Sequence, residues 1–126
     1  LFNDGRLVQG SPDVSPENCA LTVASTVIST EAEDRIVVDA GSKSIARDVD
    51  LPPTAVGYDG LDYFTASEEH GWVDVSDCEA SFAVGDRIEW VPPHVCTTVN
   101  LHDTLVGTRD GAVEAVWNVQ ARGKVR

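Results

Sequence analysis

The feature that most constrains the fold of this chain is the alternation of residue types over residues 18–30, NCALTVASTVIST. Successive side chains of a β-strand point to opposite faces of a sheet, so a period of two predicts a strand. A second strand is predicted over 34–41, DRIVVDAG, which is nearly all apolar and ends at a glycine. Residues 61–75 predict two more strands that separate around 69–71. Helical periodicity is scarce, and the chain is therefore expected to be all-β.

Turn signals complete this prediction. Residues 83–92 begin with a Gly-Asp turn and continue as a strand, and Arg-Asp-Gly at 109–111 predicts the turn of a C-terminal hairpin. The segment 42–59 is rich in proline and glycine and predicts an irregular loop, with one helical turn near 44–47. Six or more strands without helical spacers predict a Greek-key-like β-barrel or sandwich, formed by residues 1–126 as one domain.

The charge balance narrows the choice of partners. The chain has 21 Asp and Glu residues against 9 Lys and Arg residues, which gives a net charge of −12. A surface of this sign repels phosphate backbones, so nucleic acid is not an expected partner. No long apolar run and no charged leader is present, and we expect a cytoplasmic protein that does not span a membrane. The start at LFNDG, without a methionine, suggests a piece of a longer chain.

The three cysteines, Cys19, Cys78 and Cys96, are odd in number and irregularly spaced. A small secreted protein held together by disulfides shows a different pattern, so we do not expect a disulfide framework. Phosphate-binding glycine loops, nucleophile elbows and CxxC pairs are also lacking. Any chemistry must therefore come from side chains that the fold brings together.

His94 and Cys96 are the first candidates for such a site. If residues 94–102 continue as a strand, the two side chains share a face and lie roughly 6.6 Å apart along the chain. An imidazole nitrogen and a thiolate can then bind one ion, at about 2.0 and 2.3 Å for zinc. The polar face would continue through Thr98, Asn100 and His102. The spacing leaves a second interpretation open, in which Cys96 is a small hydrophobe and His94 bonds a loop.

Several stretches together resemble the C-terminal β-domain of the D-threonine aldolase and D-serine dehydratase family. Its most specific parts are the DAGSK, EEHG and PxHxC patterns. The blocks, in chain order, are NCALTVASTVIS (18–29), VVDAGSKSIARD (37–48), SEEHG (67–71), GDRIEWVPPHVCTTVNLHD (85–103) and VWNVQARGKVR (116–126). Family members are built like alanine racemase, with an N-terminal barrel that binds pyridoxal phosphate (PLP) and a C-terminal β-domain that closes the site. The resemblance implies that this N-terminal barrel, with its Schiff-base lysine, is missing here.

The resemblance also implies roles for particular residues. His94 and Cys96 would hold a divalent metal beside the cofactor, and a thiolate ligand favours zinc. PLP would serve as the electron sink for a D-β-hydroxy amino acid, while the metal binds the substrate's β-hydroxyl as a Lewis acid. The expected reaction is retro-aldol cleavage to glycine and an aldehyde, as in D-threonine aldolase. Dehydration of D-serine and racemisation remain alternatives, and this chain alone is expected to be inactive.

Other residues are candidates with weaker signals. Asp39 and His70 are candidate catalytic residues, and Asp39 is expected to have a fixed partner, such as Lys43, because an unpaired carboxylate at the end of an apolar strand is unfavourable. The three tryptophans are expected to anchor the core or an interface. A homodimer is expected. The rival hypothesis is a non-enzymatic β-domain that acts as an interaction module, and either hypothesis predicts an exposed apolar surface.

Overall fold

The computed structural model describes residues 2–124. Two short helices, one 3₁₀ turn and eight strands make up its regular elements. The helices are α1 (Gly5–Gly10) and α2 (Val95–Val99), the 3₁₀ turn is Pro16–Asn18, and the strands are β1 (Val23–Ser29), β2 (Arg35–Val38), β3 (Thr54–Ala55), β4 (Asp62–Ala66), β5 (Gly71–Asp74), β6 (Arg87–Val91), β7 (Thr104–Arg109) and β8 (Ala112–Asn118). The prediction of an all-β fold is confirmed.

Six of the strands form one antiparallel sheet in the order β3-β6-β1-β2-β5-β4, and β7 and β8 form a separate hairpin. The large sheet curls back on itself. Tyr63 on β4, the last strand of the sheet, contacts Trp90 on β6, the second strand from the opposite edge, with 5.3 Å between the ring centroids. Residues from opposite sides of the sheet therefore share one core, which gives the barrel-like shape that the sequence predicted.

The alternation that predicted β1 is visible in its burial. Val23, Ser25 and Val27 point into the core, and the residues between them are more exposed. The buried serine is satisfied, because its Oγ accepts a hydrogen bond from Trp90 Nε1 at 2.8 Å and donates one to the carbonyl of Ile88 at 3.2 Å. A polar residue is thus compatible with an apolar strand face, because it hydrogen-bonds the indole of the neighbouring strand.

A second buried polar contact joins β4 to the end of β2. The Tyr63 hydroxyl donates a hydrogen bond of 2.6 Å to the carbonyl of Ala40, and its ring packs against Gly71. A Cβ at residue 71 would lie 2.3 Å from a ring carbon, so only glycine fits there. Tyr63 consequently fixes the point at which the chain leaves β2.

Local sequence signals located most strands but not every boundary. The strand predicted over 18–30 is shorter, since Pro16–Asn18 and the residues after it are not extended in the sheet. The helical turn predicted near 44–47 lies earlier, at residues 42–44, where the amides of Ser44 and Ile45 both donate to the carbonyl of Gly41. The irregular loop predicted over 42–59 also contains β3, which pairs with β6.

The C-terminal hairpin has the predicted turn. Asp110 and Gly111 adopt positive φ angles of 50° and 77°, as a two-residue hairpin turn requires. Four large apolar side chains of the hairpin are more than half exposed, and they are Val106, Val113, Val116 and Trp117. Trp90 is fully buried, so one of the three tryptophans is a core residue and Trp117 lies on an exposed apolar surface.

Within residues 2–124, helices of the length and apolar character needed to cross a bilayer are not found.

The cysteines at 19, 78 and 96 are unpaired thiols. Cys19 is buried just before β1, and Cys78 is partly exposed.

Replacement of the tyrosine in this core has a pH-dependent effect. Tyr63→Phe leaves the Ala40 carbonyl without its partner and should lower the free energy of unfolding by roughly 1–2 kcal/mol at neutral pH. Burial raises the pKa of Tyr63 from 10.0 to about 12. The wild-type contribution of the neutral phenol is complete below pH 10 and is lost as the pH rises toward 12. Urea denaturation should therefore show the difference between the two proteins shrinking over this window, and a constant difference would contradict the account.

Candidate metal centre

His94 and Cys96 lie at the start of α2, so the strand predicted across residues 94–102 is wrong. Pro92 and Pro93 end β6, because proline has no amide N–H to continue a strand ladder. His94 is the N-cap residue of α2 with φ −142° and ψ 111°, and Cys96 is the exposed second residue of the helix. The two residues therefore lie at a helix start and not on the common face of a strand.

Long-range contacts explain why the β-branched sequence VCTTV is helical here. The carboxylate of Asp4 accepts a hydrogen bond from the amide of Val95 at 3.5 Å. One turn later, the Oγ1 of Thr98 accepts a hydrogen bond from the amide of Ala46 at 3.2 Å. Val95 and Thr98 are the buried residues of α2, as expected for positions three apart on one helix face. These contacts override the strand preference of the local sequence.

The same contacts correct the predicted polar face of residues 98, 100 and 102. Thr98 is 1% exposed and belongs to the core side of α2. His102 lies beyond the helix, and its Nε2 donates a hydrogen bond of 2.8 Å to the carbonyl of Ser44. Neither Thr98 nor His102 therefore continues the polar face that was predicted from His94 and Cys96.

His94 has a carboxylate partner that the sequence did not indicate. Its Nδ1 lies 2.7 Å from Oδ2 of Asp48, while Oδ1 of Asp48 accepts a hydrogen bond of 2.7 Å from the hydroxyl of Thr97. The hydrogen bond with His94, followed by the one from Thr97, holds the pKa of Asp48 below its usual range. The His94 side chain is 20% exposed, so solvent and ligands can reach part of the ring.

Residues 41–48, which we name the bridging loop, connect this helix to the turn between β4 and β5. On one side, the amides of Ser42 and Lys43 donate to the carbonyls of Ser67 and Glu68 at 2.9 and 3.0 Å. Gly41 allows this approach, because a Cβ there would lie 2.5 Å from the Glu68 carbonyl oxygen. On the other side, the loop reaches α2 and the residues after it through the contacts described above. The DAGSK and EEHG blocks are thus neighbours in space.

The remaining candidate residues have partners of their own. Asp39 does have a fixed partner, but it is the amide of Thr26, which donates to Oδ1 at 2.6 Å. Lys43 instead forms an ion pair with Glu69 across the bridging loop. His70 is exposed in the turn, where its amide donates to Ser67 Oγ at 3.3 Å. Among the described hydrogen bonds, those of Asp39 and His70 run to these residues and not to His94 or Cys96.

The donor atoms near α2 suit a site with few protein ligands. Within residues 2–124, clusters of three or more His, Cys, Asp or Glu side chains able to hold one ion are not found. His94 and Cys96 are two residues apart, so their Cα atoms are separated by at most about 7.6 Å. An imidazole and a thiol are both donor types that zinc accepts in proteins.

Sequence reasoning missed Asp48 and Thr97. Asp48 ends the 37–48 block but carries no periodic or motif signal of its own, and its partner is 46 residues away in the chain. Thr97 lies between the candidate ligand Cys96 and the core residue Thr98, where local sequence gives no hint of its partner.

Comparison with known proteins gives consistent matches across most of the chain. The profile of a protein family described as "Putative serine dehydratase domain" matches residues 20–108. A D-threonine aldolase of Arthrobacter sp. is 43% identical over 104 residues, or 82% of this chain and 27% of that protein. A 3-hydroxy-D-aspartate aldolase of Paracoccus denitrificans is 42% identical over 105 residues, or 83% of this chain and 26% of that protein. The chain thus spans about a quarter of the length of these aldolases.

One relative differs in length. An uncharacterized protein of Mycobacterium tuberculosis is 39% identical over 120 residues, which cover 87% of this chain and 89% of that protein.

Solved structures give the same result for the fold. A D-threonine aldolase from Filomicrobium marinum matches 99% of this chain and 35% of its own, with a TM-score of 0.87 and 32% identity. A D-threo-3-hydroxyaspartate dehydratase from Delftia sp. HT23 matches 93% of this chain and 36% of its own, with a TM-score of 0.76 and 23% identity. The latter likeness concerns the fold alone.

Loss of the buried threonine should release α2 from the bridging loop. Thr98→Val keeps the shape but leaves the Ala46 amide without its acceptor, so we expect a loss of roughly 1–3 kcal/mol in the free energy of unfolding. The matched control is Thr108→Val on the exposed surface of β7, which should change stability by less than about 0.5 kcal/mol. Chemical denaturation of both variants measures the difference. Equal stability of the two variants would show that the Thr98 contact does not hold the helix in place.

Proposed function

We propose that this chain, which belongs to the serine dehydratase domain family, is the metal-carrying β-domain of a PLP- and metal-dependent lyase that acts on D-β-hydroxy amino acids. Its named relatives are aldolases of D-threonine and 3-hydroxy-D-aspartate, so the family includes lyases of hydroxy D-amino acids. Retro-aldol cleavage, as in D-threonine aldolase, is the reaction we propose for the whole protein. The observation that carries the proposal is the pair His94 and Cys96 at the start of α2.

The geometry of this pair supports a role in metal binding. His94 uses Nδ1 for its contact with Asp48, which leaves Nε2 as the ring nitrogen available to an ion. Cys96 is an exposed thiol two residues later, although reduced cysteines are more often buried in a core. A ligand pair at the rim of a site needs an accessible donor and a donor of fixed orientation. Cys96 is the accessible one, and the His94 ring is held by Asp48.

A pair with the same spacing has been replaced in a D-threo-3-hydroxyaspartate dehydratase that shares the fold. Its structures include a histidine-to-alanine variant and a cysteine-to-alanine variant in the metal-free form, and the two replaced residues are two positions apart. The His94-Val95-Cys96 sequence repeats this order and spacing. It supports, by analogy, His94 and Cys96 as the ligands here.

Zinc is the metal we propose, because a thiolate ligand favours it over magnesium or manganese. When bound, such an ion would supply Lewis-acid polarisation of the substrate's β-hydroxyl oxygen. The role of this chain is then to orient the two donors and to leave the other coordination positions open. Asp39 and His70 stay predictions as catalytic residues, with the ring of His70 exposed and the carboxylate of Asp39 engaged by a backbone amide.

The PLP lysine is proposed to lie on a barrel domain that this chain does not contain. Lys43 is engaged by Glu69, and Lys124 lies after the C-terminal hairpin. The aldolase relatives are about four times as long as the matched region, which is room for such a barrel. Accordingly, we propose that the isolated chain is inactive, that its partners are the barrel and a D-amino acid, and that the full protein is a cytoplasmic homodimer.

Two other functions have specific support. Dehydration or racemisation would use the same metal position, and a hydroxyaspartate dehydratase shares the fold. A non-enzymatic interaction module is favoured by the Mycobacterium tuberculosis relative, of which the matched region covers 89%, and by the exposed apolar hairpin.

A domain exchange tests the enzymatic proposal directly. The matching region of the Arthrobacter D-threonine aldolase would be replaced by this chain, and the product assayed for glycine and acetaldehyde from D-threonine. We expect activity that a chelator removes and added Zn²⁺ or Mn²⁺ restores. His94→Ala and Cys96→Ala should each lower kcat/KM by at least about 100-fold, because Lewis-acid stabilisation is worth several kcal/mol. Cys78→Ala, a change of the same type outside the site, should leave kcat/KM unchanged.

The visible absorbance of bound PLP reports whether the exchanged protein has assembled. An assembled protein that is indifferent to the chelator and to both ligand variants would contradict the metal role. An assembled protein that converts D-serine to pyruvate but leaves D-threonine intact would move the function to dehydration. An assembled protein that turns over neither substrate would contradict the proposed lyase reaction and leave racemisation and the interaction module as the alternatives.

A further inference from the structure

We propose that Asp48 is the positioning residue for His94, and that it sets the ring tautomer and the orientation in which Nε2 can bind a metal ion. This inference deepens the proposed function and rests on His94 as a ligand. It concerns a residue outside the His94-Val95-Cys96 sequence, contributed by the bridging loop.

The atoms in the contact between Asp48 and His94 determine which ring nitrogen carries the proton. Asp48 Oδ2 lies 2.7 Å from His94 Nδ1, and an ionised carboxylate can only accept hydrogen bonds. Nδ1 must therefore carry the proton, which places the free lone pair of the neutral ring on Nε2. Without this carboxylate, the neutral imidazole could populate either tautomer, and one of the two has no lone pair on Nε2.

The carboxylate of Asp48 is itself held in its orientation by a second hydrogen bond. Its other oxygen, Oδ1, accepts a hydrogen bond of 2.7 Å from Thr97, so both oxygens are engaged by the same short segment. The hydroxyl of Thr97 also lies 3.3 Å from the carbonyl of His94. Asp48 thus binds residues on either side of Cys96, and one side chain constrains the whole ligand segment.

The loop that carries Asp48 is attached to α2 and to the residues after it by hydrogen bonds. The bridging loop is held to α2 by Ala46 and Thr98 and to the residues beyond α2 by Ser44 and His102. Asp48 therefore extends from a backbone that is attached to the same helix it orients. Carboxylate partners of metal-binding histidines typically change metal affinity by about 10–100-fold when they are replaced.

The test compares Asp48→Asn with Asp50→Asn, which removes the same charge from an exposed residue two positions later. In the metal-free chain, ¹⁵N NMR of the imidazole distinguishes the two tautomers. The wild type and Asp50→Asn should show His94 with its proton on Nδ1, and Asp48→Asn should show a mixture. An unchanged spectrum in Asp48→Asn would overturn the positioning role, whether or not the chain binds metal.

Metal binding gives the second measurement. Titration with Co²⁺, followed by the thiolate charge-transfer absorbance, should show about 10–100-fold weaker binding for Asp48→Asn and no change for Asp50→Asn. His94→Ala should remove the signal. Equal affinities of the wild type and Asp48→Asn would contradict the inference and leave the metal site standing. Absence of thiolate absorbance in the wild type would contradict the proposed metal site, and the tautomer measurement would still decide the role of Asp48.

Discussion

The hydrogen bonds of the bridging loop are the interactions on which the rest of this structure depends. Residues 41–48 join the turn between β4 and β5 to the helix that carries the candidate ligands, and Ile45 of this loop is fully buried in the core. Gly41 permits the close approach on one side, and Asp48 supplies the carboxylate on the other. A segment with little regular secondary structure therefore holds α2 at Thr98 and orients His94.

The strands could be predicted from sequence because their signals are local. Alternation in β1 and the Asp-Gly turn of the hairpin each depend on neighbouring residues, and both predictions are confirmed. Helix α2 could not be predicted in this way, since its five residues prefer extended structure and their helical form depends on Asp4 and Ala46. Local conformational propensity is overridden wherever distant partners satisfy the backbone hydrogen-bonding groups in another conformation.

The candidate site shows the same division. Both the spacing of His94 and Cys96 and the resemblance of the PxHxC block indicated these residues, but the shared strand face predicted from the spacing is wrong. Asp48 could not be identified from the sequence alone, because nothing local connects a loop carboxylate to a histidine 46 residues later. The fold brings the blocks 37–48, 67–71 and 85–103 together around the bridging loop.

The central claim is that His94 and Cys96 bind one metal ion and leave its other positions open. Zinc K-edge X-ray absorption of the zinc-loaded chain tests this most directly. The account predicts one sulfur at about 2.3 Å, one imidazole nitrogen at about 2.0 Å, and oxygen ligands in the remaining positions. It also predicts that the sulfur contribution disappears in Cys96→Ala. A first shell without sulfur, or a sulfur signal that survives that substitution, would contradict it.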